Sequence, residues 1–228
     1  MKNLFIAGNW KSNKTVTESL AWIETQALVS EVTSDQWKFL TVVILPPFTA
    51  LESFKEQIRK RSLPFVIGAQ DISPFPDGPY TGQVSGRMLT ELVEWVIIGH
   101  SERRKYFNET EKILEAKVSE AKKSGLKIIY CVPDDKTPVP QGVDVVAYEP
   151  VWAIGTGKTD TPENANAVIT SIKTKTKVQT VIYGGSVTQD NVATFVAASS
   201  IDGVLPGGAS LDPQKFTSLV IHAASSNS

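Results

Sequence analysis

The segment that decides the fold is VDVVAYEPVWAIGTGK, residues 143–158. It begins as a nearly continuous apolar run, residues 143–148, which is typical of a strand covered on both faces. Glu149 follows this run directly, and a glycine-punctuated stretch follows Glu149. A rigid strand that ends in a carboxylate beside a mobile loop suits a catalytic base, because closing the loop expels water and strengthens polar interactions. A glutamate at a strand end is also a common solvated rim residue, so the companions of Glu149 decide between the two interpretations.

The chain contains eight apolar runs of this kind, with amphipathic helical patterns between them. The runs cover residues 4–7, 39–45, 65–69, 95–98, 127–131, 143–148, 178–183 and 203–205. Strands that alternate with helices predict a parallel sheet, and eight is the number of strands that closes a barrel. The alternative is a doubly wound open sheet, which usually has a glycine-rich first turn, whereas residues 9–11 read Asn-Trp-Lys. We therefore expect an α/β protein, a (β/α)8 barrel formed by a single domain of residues 1–228.

Capping signals predict where several helices begin. Thr15 and Glu18 have the spacing of a capping box, and Pro162 and Pro213 each follow a cap residue. The connection between the fifth and sixth runs differs, because residues 132–142 include three prolines. An interior proline lacks the N–H that a helix needs and clashes with the preceding turn. We expect a proline-rich loop to replace the helix between strands 5 and 6.

The composition excludes several classes of function. The chain has 228 residues, with 23 basic and 24 acidic side chains and a net charge of −1. It therefore lacks the basic stripe of a nucleic-acid-binding protein. No apolar run is long enough for a membrane span or a signal peptide. The lone Cys131 excludes an internal disulfide and fits the reducing cytoplasm, which is the expected location.

Motif comparisons exclude other chemistries. Gly157-Lys158-Thr159 looks like the end of a Walker loop, but that motif needs a glycine where Trp152 stands. A dinucleotide fingerprint fails as well, because Asp160 occupies the place of its third glycine. No cysteine–histidine cluster suggests a metal site, and no Gly-x-Ser-x-Gly elbow suggests a serine hydrolase.

Polar groups follow five of the eight predicted strands, at the rim where barrel enzymes keep their active sites. They are Asn9 and Lys11, His100 and Glu102, Glu149, the segment 183–186 with Gly184 and Gly185, and the segment 206–208 with Gly207 and Gly208. Loops are polar in any protein, but this does not explain a Gly-Gly pair after both of the last two strands. Glycine lets backbone N–H groups approach an anion, so the two pairs predict a phosphate site.

Each of the charged candidates also has a plain structural interpretation. His100 precedes a predicted helix, whose N-terminus disfavours the imidazolium and favours a neutral ring. Lys11 has the position to stabilise an enolate oxygen, although a lone lysine is commonly just solvated. A carboxylate, a neutral imidazole, an ammonium and a phosphate cradle together suit proton abstraction beside the carbonyl of a small phosphorylated sugar.

The chain resembles the triosephosphate isomerase family along almost its whole length. The matching segments are residues 8–11, 68–70, 98–104, 148–158, 183–187 and 207–211. The peptides Tyr-Glu-Pro-Val-Trp at residues 148–152 and Gly-His-Ser-Glu-Arg-Arg at residues 99–104 are highly specific. The resemblance implies a TIM barrel that interconverts dihydroxyacetone phosphate and glyceraldehyde 3-phosphate without a cofactor or a metal.

The resemblance also implies a role for each site residue. Glu149 would be the base, His100 would polarise the carbonyl, Lys11 would supply positive charge, Asn9 would place the substrate oxygens, and Glu102 would support Lys11. Backbone N–H groups for the phosphate would come from Gly155, Ser186, Gly207 and Gly208. The lid would comprise Pro150, Val151, Trp152, Ile154, Gly155, Thr156, Gly157 and Lys158. Tyr183 and Ser186 would receive the closed lid, and Ile154 and Leu205 would clamp over the base, desolvating it.

Departures from the family pattern concern the phosphate site and assembly. Pro206 replaces the usual valine and has no N–H to donate, but the phosphate contacts are expected on the next two residues. The resemblance implies a homodimer in which the Thr81 loop enters the partner near Lys11. Shortened archaeal members tend to form tetramers, so a tetramer is the alternative. Gln83 replaces a glutamate that pairs across subunits with an arginine matching Arg103, and the neutral amide should weaken that contact.

Two rival functions remain open at this stage. The first rival is another phosphosugar barrel, such as an aldolase or a different ketose–aldose isomerase. A Schiff-base lysine would be expected inside a strand, whereas Lys11 follows one. A non-catalytic phosphate-binding barrel is the second, and the intact set of rim residues argues against it.

Overall fold

A computed structural model of the chain describes residues 2–25, 31–152 and 159–226. Eight parallel strands form a closed barrel in which each strand pairs with its neighbours in sequence and β8 returns to β1. The strands are β1 Leu4–Asn9, β2 Leu40–Leu45, β3 Val66–Ala69, β4 Trp95–Ile98, β5 Lys127–Val132, β6 Val145–Tyr148, β7 Thr180–Tyr183 and β8 Gly203–Val204. The predicted (β/α)8 barrel is confirmed, and each strand coincides with one of the predicted runs to within two residues at either end.

Helices cover the outside of the barrel. Those in the described part of the chain are α1 Val16–Glu24, α2 Ser34–Trp37, α3 Leu51–Arg61, α4 Gly86–Thr90, α5 Ser101–Tyr106, α6 Glu111–Lys123, α7 Pro162–Thr176, α8 Val192–Val196 and α9 Pro213–Ser225. The predicted caps are present, since Thr15 and Glu18 form a capping box and Pro162 and Pro213 begin α7 and α9. None of these helices is long and apolar enough to cross a membrane.

The connection between β5 and β6 lacks a helix, as the prolines predict. Residues 133–144 form turns, bends and irregular chain. Asp135 fastens this loop to α7, where its carboxylate accepts hydrogen bonds from Ser171 Oγ at 2.5 Å and Lys175 Nζ at 2.6 Å. Val139 packs against the buried core. The loop therefore covers this part of the barrel without a helix, as expected.

The core has two layers, which explains why the strands are apolar almost without interruption. One cluster fills the barrel and includes Phe5, Val43, Ile97 and Ile182. The other fills the space between the strands and the surrounding helices. Because successive strand residues point to alternate faces, both sets of side chains are buried and alternation with polar residues disappears.

Candidate active site

Most of the polar residues predicted at the strand ends line one cavity of about 290 Å³, and Glu102 lies behind it, in contact with Lys11. Its lining includes Asn9 and Lys11 after β1, His100 after β4, Glu149 after β6, residues 184–188 after β7, and Leu205 and residues 207–209 after β8. Parallel strands bring their carboxyl ends to one rim, so residues that are far apart in sequence meet there.

Glu149 provides a buried carboxylate on this rim. The residue is 2% exposed, and its Oε2 accepts a hydrogen bond from the backbone N–H of Ser101 at 3.0 Å. Its own N–H donates to the carbonyl of Val132 at 2.8 Å, which fixes the backbone to β5. Burial and the nearby Glu149 carboxylate raise the pKa of the Cys131 thiol well above its usual value. A carboxylate in such an apolar, fixed position suits a base.

His100 faces Glu149 with its Nε2 atom. The Nε2 of His100 lies 3.2 Å from Oε1 of Glu149. The other ring nitrogen, Nδ1, accepts a hydrogen bond from the backbone N–H of Glu102 at 3.2 Å, because His100 caps the N-terminus of α5. This contact assigns the ring proton to Nε2, so the imidazole presents a donor to the cavity.

Lys11 is held on the rim by both its backbone and its side chain. Its backbone has a positive φ of 53°, and its N–H donates to Oδ1 of Asn9 at 3.0 Å. Nε2 of Gln70 donates to the Lys11 carbonyl at 2.9 Å. The Lys11 ammonium contacts Oε1 of Glu102 at 2.6 Å. An uncommon backbone conformation that is fixed on several sides is typical of a functional position.

The glycine pairs lie beside these groups with almost no room for side chains on the β7 side. An added Cβ on Gly185 would lie 2.1 Å from the Tyr183 hydroxyl. Gly208 begins a short 3₁₀ turn, Gly208–Ser210, and an added Cβ there would meet nothing within 4 Å. Ser186 and Gly207 complete this side of the cavity. The main chain is therefore open to a ligand at residue 208 and closely packed at residue 185.

The residues predicted for the lid and clamp fall into three groups. Tyr183 and Leu205 are buried, and Tyr183 accepts a hydrogen bond from the N–H of Asp160 at 2.9 Å. Pro150 is buried, whereas Val151 and Trp152 are 56% and 54% exposed. The other predicted lid residues, Ile154, Gly155, Thr156, Gly157 and Lys158, lie outside the described residues.

A buried ionic cluster behind the rim was missed by the sequence analysis. Lys117 contacts the carboxylates of Asp71 and Glu109. Arg103 joins the same two carboxylates at 2.8 and 2.7 Å. The cluster braces α5, which carries Glu102, against the loop after β3, which carries Gln70. Lys117 occupies a helix, where a lysine is ordinarily solvated, so its burial had no signal in the sequence.

The described residues contain no group of three or more His, Cys, Asp or Glu side chains placed to hold a metal ion. The polar side chains of the cavity offer a bound molecule the carboxylate of Glu149, the Nε2–H donor of His100 and the ammonium of Lys11. Those three groups can remove a proton from carbon and stabilise the resulting oxyanion.

Comparison with known proteins agrees with this geometry. The family model for triosephosphate isomerase matches residues 4–143 and 139–223, and the two matches overlap in the β5–β6 loop. The triosephosphate isomerase of Trichodesmium erythraeum is 41% identical, over 96% of this chain and 99% of its own length. That of Synechocystis sp. is 39% identical, over 96% and 98%. That of Leifsonia xyli is 36% identical, over 94% and 95%. The chain belongs to the triosephosphate isomerase family.

Proposed function

We propose that this protein is an isomerase that interconverts dihydroxyacetone phosphate and D-glyceraldehyde 3-phosphate, a step of glycolysis and gluconeogenesis. The observation that carries the proposal is the contact between the buried Glu149 carboxylate and Nε2 of His100, in one cavity with Lys11. Triosephosphate isomerase is itself a standard example of a glutamate base beside a neutral histidine with a closing loop, so these roles come with the family.

The reaction moves hydrogen between two neighbouring carbons. Glu149 would take a proton from the carbon beside the carbonyl and return it to the adjacent carbon. His100 would donate its Nε2 proton toward the carbonyl oxygen and move protons between the two oxygens, while Lys11 stabilises the enediolate charge and Asn9 places the oxygens. One substrate carbon is oxidised and its neighbour is reduced, so the step balances without an external oxidant or cofactor.

The resting contact between His100 and Glu149 supports this order of events. A substrate oxygen that entered the cavity would take the place of Glu149 Oε1 at His100 Nε2. The carboxylate would then be free to face the carbon that loses the proton. Leu205 already covers the site as a buried apolar residue, which would keep the base poorly solvated.

The phosphate end of the substrate would lie against the backbone of Ser186, Gly207 and Gly208, joined by Gly155 of the proposed lid. Two features support this position: these three residues line the cavity, and Gly208 leaves open space in front of its backbone. The lid would comprise residues 150–158 and close onto Tyr183 and Ser186.

A coupled assay with both triose phosphates tests the function. We expect the purified protein to convert each ester into the other, and the Glu149→Gln variant to lose nearly all turnover because a neutral amide cannot accept the proton. Absence of turnover by the wild-type protein would contradict the proposal. Borohydride treatment with substrate provides a second check, since covalent trapping on Lys11 would instead indicate Schiff-base chemistry.

We also propose that the protein forms a cytoplasmic homodimer, with a tetramer as the alternative. The loop around Thr81 carries an exposed pair of stacked rings, Phe75 and Tyr80, whose centroids are 4.3 Å apart. At the C-terminal end of α5, Tyr106 and Phe107 are 65% and 64% exposed. Neighbouring exposed aromatic residues are typical of a protein–protein interface. Arg103 is paired within its own chain by Asp71 and Glu109, so Gln83 of a partner leaves no guanidinium unpaired.

A further inference from the structure

Asp160 is a buried carboxylate that the chemistry described above does not use. It is 5% exposed and lies between the ends of β6 and β7 and the start of α7. In the described part of the chain, no Lys, Arg or His side chain pairs with it. A buried carboxylate is costly unless donors satisfy it, so the contacts of Asp160 indicate why it is there.

Neutral donors satisfy both carboxylate oxygens. Oδ1 accepts the backbone N–H of Thr161 at 2.9 Å, and Nδ2 of Asn164 lies 2.9 Å from Oδ1 and 2.7 Å from Oδ2. These donors belong to the first turn of α7, whose partial positive charge also favours an anion. The helix therefore fixes the carboxylate in place.

Asp160 contacts the two tyrosines that end neighbouring strands, Tyr148 through its carboxylate and Tyr183 through its backbone N–H. The Tyr148 hydroxyl donates to Oδ2 of Asp160 at 3.4 Å, and the backbone N–H of Asp160 donates to the Tyr183 hydroxyl at 2.9 Å. Burial, together with the nearby Asp160 charge, raises the pKa of both phenols, so they remain protonated. One residue thus holds the side chains at the carboxyl ends of β6 and β7.

Both tyrosines directly precede groups of the active site. Tyr148 is followed by Glu149, and Tyr183 is followed by Gly184, which packs against Glu149. The Gly184 N–H also donates to the Tyr148 carbonyl at 2.7 Å, joining the two strand ends. A shift of either tyrosine would therefore move the Glu149 carboxylate.

We propose that Asp160 is a positioning residue for Glu149, and that its carboxylate acts by holding the Tyr148 side chain in place. This inference rests on the proposed isomerase function and extends it to a residue that touches neither the cavity nor the substrate. Displacing a catalytic group by about 1 Å can cost on the order of 100-fold in rate, so loss of this link should lower kcat.

Kinetics of the full-length protein with substitutions at residues 160 and 148 test the proposal. We expect Asp160→Ala to lower kcat by about tenfold or more, with the inhibition constant of inorganic phosphate unchanged. Asp160→Asn should restore most of the loss, because its amide oxygen still accepts from Thr161 and its NH2 can donate to the Tyr148 oxygen once the Asn164 amide rotates to present its own oxygen. The double variant Tyr148→Phe with Asp160→Ala should be no slower than the slower single variant, because both substitutions break the same contact between Tyr148 and Asp160.

Thr161→Ala is the matched control. It removes the N-cap of the same helix, where Thr161 Oγ1 accepts from the Asn164 N–H, without touching either tyrosine. It should lower the melting temperature and leave kcat unchanged. A cooperatively melting Asp160→Ala variant with wild-type kcat would overturn the proposal, as would fully additive effects of Asp160→Ala and Tyr148→Phe. Inactivity of the wild-type protein would instead refute the isomerase function.

Discussion

Gly184 lies so close to Glu149 that a Cβ added at residue 184 would come within 2.8 Å of the Glu149 Cγ. The same added atom would lie 3.2 Å from the Tyr148 carbonyl oxygen, so it could not move away from Glu149 toward the Tyr148 backbone. Gly184 therefore packs directly against the proposed base. The Glu149 side chain can occupy its position only because residue 184 has no side chain.

Gly184→Ala should therefore impair turnover more than binding. The new methyl group pushes the Glu149 side chain from its place, and we expect kcat to fall by about 10- to 100-fold. Steady-state kinetics and the inhibition constant of inorganic phosphate separate the two effects. Gly208→Ala is the contrast, because its methyl group enters open cavity space and should mainly raise KM. Wild-type kcat in a folded Gly184→Ala variant would contradict the expectation.

Glu149→Asp tests the base itself. Shortening the side chain by one methylene withdraws the carboxylate from His100 and from the substrate carbon, so we expect kcat to fall by about 10²- to 10³-fold. Binding of a phosphate analogue should survive, because the proposed phosphate contacts are backbone groups on other strands. Unchanged turnover would show that another group is the base.

Glu102→Gln tests the support of Lys11. The amide keeps a hydrogen-bond acceptor but loses the charge that holds the ammonium at 2.6 Å, so we expect kcat/KM to fall by about tenfold. Stability should change by less than about 1 kcal/mol, since both side chains are partly exposed. Glu111→Gln, which breaks a pair with Arg104 away from the cavity, should remain active. Equal losses in the two variants would refute a specific role for Glu102.

The buried tyrosines predict how stability changes at high pH. Burial raises the pKa of Tyr130, Tyr148 and Tyr183 above its usual value near 10. Above about pH 10 the unfolded chain releases these protons while the folded chain keeps them. The stabilisation is therefore complete below pH 10 and falls as pH rises, by at most about 1.4 kcal/mol per pH unit for each tyrosine.

Denaturant unfolding between pH 9 and 12 measures this slope. Tyr148→Phe should make the decline of unfolding free energy less steep than in the wild-type protein. An identical slope in the two proteins would contradict the assignment for Tyr148.

The proposed dimer predicts that activity depends on protein concentration. Specific activity should fall on dilution, and light scattering should detect subunits separating over the same range. Thr81→Arg should shift this fall to higher protein concentration, because a long charged side chain would not fit a partner's pocket. Thr174→Arg, an exposed change on α7, should behave as wild type. A fully active monomer would remove the assembly proposal.

The fold was predictable because both faces of every strand are buried, so each strand appears as a compact apolar run. The ends of the runs differ from the ends of the strands by up to two residues, since buried apolar residues also lie outside the paired segment, as Val143 does before β6. The lost crossover helix was visible through its prolines. Local sequence patterns were thus enough to predict most of the architecture.

The site was predictable only where a polar residue directly follows a strand. His100, Glu149 and Lys11 could be placed on one rim by that rule. The partners that fix them could not, because Asp71 lies 46 residues from Lys117 and Asp160 lies 23 residues from Tyr183. Nothing local distinguishes those residues from ordinary surface charges, and only the folded chain shows that they are buried.

The helix-free passage from β5 to β6 makes this enzyme a candidate for re-engineering its chain order. New termini placed near Gln141, on the exposed turn of that loop, would sever no helix and would leave every strand of the sheet whole. For the same reason, we expect this exposed turn to tolerate an inserted sensor domain.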